Sequence, residues 1–178
     1  MSRKPGVGAI YLEEADIRTR VAELGADISH DYETSNLVLV GLLKSSFMFL
    51  ADLARSISVP HEIDFLELAA YDGAGADSGP SVRLLKDVGT DLRDRDVLLV
   101  EDVVDTGLTL NYVRNLLSLR APRSLAIAAL LDRPYRRLVE DLPVRYVGFV
   151  VPDELFVGYG LTVGERGRNS PDLRLLTI

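Results

Sequence analysis

Three carboxylates, two threonines and a glycine crowd into Glu101-Asp102-Val103-Val104-Asp105-Thr106-Gly107-Leu108-Thr109. Glu101 and Asp102 follow the continuous apolar run Val97 to Val100, the signature of a strand buried on both faces. Adjacent acids at the carboxyl end of such a strand stand where open α/β sheets bind ligands. Asp105 to Thr109 then forms a small-residue turn running into apolar residues at helical spacing, Leu108 to Leu119. Backbone N–H groups at a helix start, with the hydroxyls of Thr106 and Thr109, can surround a phosphate. A phosphate alone would be repelled by the neighbouring carboxylates. A phosphorylated sugar suits both halves: its phosphate sits in the cradle while its hydroxyls donate to Glu101 and Asp102, directly or through a bound Mg²⁺. Helix-start acids favoured by the macrodipole would be a plainer explanation, but three acids and two threonines around Gly107 exceed what a cap needs.

A second candidate anion site follows another apolar run, Leu37 to Val40. In Gly41-Leu42-Leu43-Lys44-Ser45-Ser46 a lone cation, Lys44, sits beside serine hydroxyls and the start of a helical pattern carried by Phe47, Phe49, Leu50, Leu53 and Ile57. A surface lysine with serine caps is the competing explanation, and composition alone favours it.

These loops need a scaffold. Ile17, Val21, Leu24 and Ile28 recur at helical spacing among charged residues after a short polar start, predicting an amphipathic packing helix. His30 follows that helix and His61 begins a strand through Ile63, Phe65, Leu66 and Leu68; neither histidine has metal or triad spacing. The small-residue stretch 72–80 has nothing to bury and reads as mobile, either a disordered connection or an active-site lid, before Val82, Leu84 and Leu85 resume extended structure. Ser124 to Leu131 is a buried strand pattern closing on Asp132-Arg133-Pro134, followed by a charged turn or helix through Arg136, Arg137 and Glu140, and by a strand from Arg145 to Val151. Phe156 and Tyr159 then precede a glycine- and arginine-rich tail, Gly164 to Arg168, and on composition both aromatics are core residues. Alternating strands and helices predict an α/β domain with a central, mostly parallel sheet flanked by helices.

The 178 residues, 47% of them hydrophobic, suffice for a single domain and a small appendage. A formal net charge of −7 argues against a nucleic-acid surface. The absence of cysteine excludes disulfides and thiolate zinc sites and is compatible with a reducing cytoplasm. No segment approaches membrane-spanning length and no leader pattern opens the chain, so a soluble, unexported, cytoplasmic protein with no membrane partner is expected.

Glu101 to Thr109 resembles the phosphoribosyl-pyrophosphate motif of the type I phosphoribosyltransferases, specifically the hypoxanthine-guanine phosphoribosyltransferases, and the similarity extends from about Leu37 to Arg168. The resemblance implies purine salvage: ribose 5-phosphate passes from phosphoribosyl pyrophosphate to hypoxanthine or guanine, giving IMP or GMP and pyrophosphate, with Mg²⁺ as cofactor. It makes Asp105 the general base and Glu101 and Asp102 ribose or metal ligands. The phosphate falls to Thr106, Gly107, Leu108 and Thr109. Leu43-Lys44-Ser45-Ser46 matches the pyrophosphate loop, where the family commonly has a cis peptide, here between Leu43 and Lys44. Arg168 matches an arginine near the pyrophosphate. Tyr71 keeps the tyrosine of the family's Ser-Tyr lid pair, while Ala70 replaces its serine. Phe156 would stack on the purine, with Val157 bonding it through the backbone. Residues 1–178 would form one domain, 72–80 its lid and about 152–178 a hood over the base, with or without the N-terminus. Homodimers or homotetramers are usual in the family.

Two departures fall in the base pocket. Arg133 stands for a lysine directed at the purine's exocyclic oxygen, and Thr162 for an aspartate near the purine 2-position and a metal. Arginine still donates, with a planar fork instead of a point charge, but threonine supplies no carboxylate. Rival readings keep the fold and change the job: a preference for xanthine or another oxopurine, an RNA-binding regulator, or an idle sensor of phosphoribosyl pyrophosphate. RNA filter binding and assays with each purine separate them.

Overall fold

The computed structural model describes residues 6–71 and 81–177. In chain order the elements are β1 (Gly6–Leu12), α1 (Glu14–Asp31), β2 (Leu37–Leu43), α2 (Phe47–Ser56), β3 (His61–Tyr71), β4 (Ser81–Lys86), β5 (Asp96–Val104), α3 (Leu108–Ser118), β6 (Ser124–Asp132), a single 3₁₀ turn (Pro134–Arg136), β7 (Val144–Val150), β8 (Phe156–Val157) and β9 (Leu173–Thr177).

The large sheet has the order β4-β3-β2-β5-β6-β7. Its inner pairings are all parallel and only β4, at one edge, runs antiparallel, returning from β3. The expected mostly parallel α/β sheet is therefore present, and its continuous apolar runs have the predicted cause. Along β2 the side chains alternate between two cores. Leu37 and Leu39 join Ile17, Leu24 and Ile28 of α1 and Phe49 and Leu53 of α2. Val38 and Val40 join Leu110, Val113 and Leu117 of α3 on the opposite face. Each strand must be apolar on both sides because helices cover both.

Topology fixes where a ligand can sit. From β2 the chain moves outward to β3 and β4, whereas from β5 it moves the other way to β6 and β7. Connections diverge between β2 and β5, and a crevice opens beyond the carboxyl ends of strands at such a switch point. The loops that leave there are 44–46 and 105–107, the two candidate anion sites.

A second sheet, order β1-β9-β8, is antiparallel throughout. Gly6–Leu12, within what was expected to be a short polar start, form a strand, and Leu173–Thr177, after the glycine- and arginine-rich stretch, form its partner. The lid expected over 72–80 lies outside the described residues. Among the described residues no helix is long and apolar enough to cross a membrane.

Candidate active site

β5 carries Glu101 and Asp102 in its last turns and ends at Val104, so the acids emerge where the strand leaves the core. Gly107 caps α3 with φ +82, and a Cβ there would lie 2.5 Å from Leu142 Cδ1 and 3.2 Å from Arg137 Cδ. Only glycine fits both the left-handed backbone and that close approach. α3 has no side-chain cap; Leu108 N–H makes a long 3.4 Å contact to Thr106 Oγ1. The helix start is thus left for an anion. Glu101, Asp105, Thr106, Gly107 and Thr109 line one hollow of about 140 Å³. Burial, and then Asp102 alongside, raise the Glu101 carboxyl well above the ordinary carboxylate range. Its Oε2 is buried without a hydrogen-bond partner.

Across the crevice, the Leu43–Lys44 peptide is cis. Ser46 is fully buried and its hydroxyl donates to the Leu42 carbonyl at 2.6 Å, so it braces the turn and does not cap α2. Lys44 and Ser45 remain on the crevice side. Arg168 donates to Ser45 Oγ at 3.2 Å and to the Gly160 carbonyl at 2.7 Å. Gly160, at φ +98, lies so close that a Cβ would fall 2.2 Å from the Ser45 carbonyl oxygen. Ser45 and Arg168 are thus in direct contact, with Lys44 next to Ser45 in the chain. Glu165, which the sequence did not single out, ion-pairs with Arg168 at 3.0 Å and approaches Lys44 at 3.8 Å. Its acid is held below the ordinary range, chiefly by Arg168. Tyr71 is the last residue of β3, opposite Ser81.

On the base side, Phe156, Val157 and Arg133 are all buried. Phe156 is 5% exposed, a member of the core, with the Tyr11 ring 4.9 Å away and the Arg133 guanidinium 5.7 Å from its centroid. It has no open face for a purine. The neighbouring Leu155 is 45% exposed. Arg133 is 6% exposed; its Nη2 donates to the Glu154 carbonyl oxygen, while its Nε is buried without a hydrogen-bond partner. Val157 is buried and pairs with Arg174 of β9. Because Leu176 N–H donates to the Leu155 carbonyl at 2.8 Å, the alternation of an extended chain turns the polar backbone groups of Phe156 toward the open edge of β8. A larger hollow, about 450 Å³, lies between α1, α2 and residues 168–171; of the expected site residues only Arg168 lines it.

The sequence also passed over Arg136, read there as part of a charged turn. Its Nε lies 2.7 Å from Asp105 Oδ1 and its Nη1 2.9 Å from Asp153 Oδ1. Nothing in the local pattern marks it, because the partners lie 31 and 17 residues away.

A Rossmann-like crevice with an anion cradle at one loop, paired acids beside it and a cationic loop opposite defines a sugar-phosphate transferase, and the comparisons agree. The chain belongs to the type I phosphoribosyltransferases: the family model described as "Phosphoribosyl transferase domain" matches residues 9–158. Within that family it is an enzyme of the hypoxanthine-guanine type. It is 51% identical over 164 residues to the hypoxanthine phosphoribosyltransferase of Salmonella typhimurium, covering 91% of each chain. The crystal structure of a hypoxanthine phosphoribosyltransferase from Staphylococcus aureus superposes with a TM-score of 0.89 at 42% identity, covering 96% of this chain and 92% of that one. A hypoxanthine-guanine phosphoribosyltransferase from Bacillus anthracis gives 0.90 at 35% identity, covering 98% and 100%.

Proposed function

We propose that this enzyme transfers ribose 5-phosphate from phosphoribosyl pyrophosphate to hypoxanthine, with guanine the weaker base, forming IMP or GMP. The observation that carries it is the uncapped start of α3 at Gly107 directly beside the orphaned oxygen of Glu101. The 5-phosphate takes the amides and hydroxyls of Thr106 to Thr109. The ribose hydroxyls donate to Glu101 and Asp102. The bond from the anomeric carbon to pyrophosphate breaks with its electron pair leaving on the pyrophosphate oxygen, where Lys44 and Arg168 meet the charge. The purine nitrogen closes the new bond, and Asp105 accepts the proton its N7 loses.

Mg²⁺ fits the acids present. Glu101 Oε2 lacks a partner and Asp102 adjoins it, while no cluster of three or more His, Cys, Asp or Glu exists among the described residues. Such a pair suits a cation that keeps waters and takes its remaining ligands from diphosphate, neutralising the leaving group. On the base side, Leu155 packs on the purine and the Phe156 backbone bonds its edge, with Arg133 holding this turn from within through Glu154. Thr162 cannot match a carboxylate for the guanine amino group, which places hypoxanthine first.

Asp105→Asn should lower kcat by roughly 10²–10⁴-fold with hypoxanthine, measured by IMP formation, while calorimetric affinity for phosphoribosyl pyrophosphate with Mg²⁺ persists. Unaltered turnover would refute the proton-accepting role.

A further inference from the structure

We infer that Arg136 is a positioning residue for this transfer, fixing the Asp105 carboxylate while Asp153 fixes Arg136 in turn. The inference rests on the reading of Asp105 as proton acceptor.

The segment after β6 lies across the phosphate loop as a strap. Arg133 N–H donates to the Val104 carbonyl at 3.0 Å, and Leu138 N–H donates to the Thr106 carbonyl at 2.9 Å. The residues on either side of Asp105 are therefore pinned by their main chain. Between those anchors the 3₁₀ turn carries Arg136, and its side chain meets that of Asp105, which the main-chain anchors do not themselves fix. Arg137, next in the strap, pairs with Asp132 and packs where Gly107 has no Cβ. Strap and loop are thus fitted together residue by residue.

Stability does not explain the contact. Arg136, Asp105 and Asp153 side chains are 45%, 39% and 60% exposed, and ion pairs so open to water contribute little to folding. What they fix is direction. A guanidinium is planar, and binding Asp153 through Nη1 sets the plane in which Nε meets Asp105. Asp105 Oδ1, although 2.7 Å from Nε, has no aligned hydrogen-bond donor. The guanidinium thus covers this oxygen and balances the carboxylate's charge from one side, which fixes the direction in which the rest of the carboxylate faces. Asp153 also lies two residues before Leu155, so the chain Asp105, Arg136, Asp153 joins the phosphate loop to the turn proposed to hold the base.

The test uses the full-length enzyme with Mg²⁺, phosphoribosyl pyrophosphate and hypoxanthine, and compares Arg136→Ala, Arg136→Lys, Asp153→Asn, Asp105→Asn and the Arg136→Ala/Asp105→Asn double variant. Arg136→Ala should lower kcat about 10–50-fold with calorimetric affinity for phosphoribosyl pyrophosphate within about twofold of wild type. Arg136→Lys should recover part of that loss, and Asp153→Asn should lose roughly threefold. In the Asp105→Asn background, Arg136→Ala should change kcat no further, because a residue acting through another has no effect once that other is gone. Equal losses in both backgrounds, or a fall in phosphoribosyl-pyrophosphate affinity that accounts for the defect, would make Arg136 a brace of the strap and overturn the proposal. So would wild-type kcat in folded Arg136→Ala beside an impaired Asp105→Asn. If Arg136→Ala does not fold, the same decisions are read from Asp153→Asn alone and combined with Asp105→Asn. Full turnover in Asp105→Asn would instead strike the underlying assignment of the proton acceptor.

Discussion

Glu101 is a carboxylate that the folded chain holds against its own interest. Its Oε2 is buried and unpartnered, and burial followed by the neighbouring Asp102 disfavours its charged form. An unsatisfied buried polar atom costs about 1–3 kcal/mol. Glu101→Gln removes the charge while keeping the shape, so its melting temperature at neutral pH should rise by roughly 2–4 °C for each kcal/mol recovered in a domain of this size. Turnover should fall at the same time, because ribose hydroxyls and Mg²⁺ lose their acceptor. Scanning calorimetry beside a steady-state assay checks both, and a lower melting temperature would show that Glu101 is already satisfied. At this scale Glu101 to Thr109 was legible as a candidate anion loop, since the motif is contiguous and the structure gathers it into one hollow. The turn after β7 was less legible. Along an extended segment adjacent side chains face opposite sides; Phe156 therefore goes to the core and Leu155 to the surface, and an aromatic in the right neighbourhood gave no hint of that parity.

At the scale of elements, the ends of β5 divide the labour. Its carboxyl end bears the acids of the site, and its amino end bears Asp96, only 4% exposed. Asp96 accepts from Arg123 Nε at 3.0 Å and from Ser124 Oγ at 2.6 Å, and chiefly the Arg123 bond holds its carboxyl far below the ordinary range. A carboxylate depressed on folding adds stability above its unfolded value, near pH 4, and loses it as the pH falls toward the folded value. Wild type should therefore lose melting temperature below about pH 4 more steeply than Asp96→Asn. Arg123→Ala should lower the melting temperature at neutral pH without altering kcat, since it lies at the far end of the strand from the hollow. Parallel melting curves across pH test this; matching slopes for wild type and Asp96→Asn would count against it. The strands and helices of the large sheet were legible because burial on both faces writes continuous apolar runs. β1 was not: Gly6–Leu12 is mostly exposed and contains two glycines. It is a strand because β9 lies beside it, a cause some 160 residues away.

For the whole molecule, chain ends and middle meet at one crevice. The large sheet supplies the two candidate anion loops, while the small sheet, closed by pairing Gly6 with Thr177 and Ile10 with Arg174, carries the turn at Leu155. The two are joined where Arg168 reaches Ser45 and where the Tyr159 hydroxyl donates to Asp52 of α2 at 2.6 Å. On the proposed assignment phosphoribosyl pyrophosphate and the purine would be held by different sheets, and a defect in one seat should be felt mainly by one substrate. Tyr11, on β1, packs its ring against Phe156 and so supports the base turn from the opposite end of the sequence. Tyr11→Ala removes an aromatic pair worth about 0.5–1.5 kcal/mol beyond its buried area and loosens that turn. The KM for hypoxanthine should rise about 3–10-fold, the same free energy expressed as affinity, while calorimetric binding of phosphoribosyl pyrophosphate stays at its wild-type value. If both substrates weaken together, the two sheets act as one rigid seat and the division of binding between them is wrong.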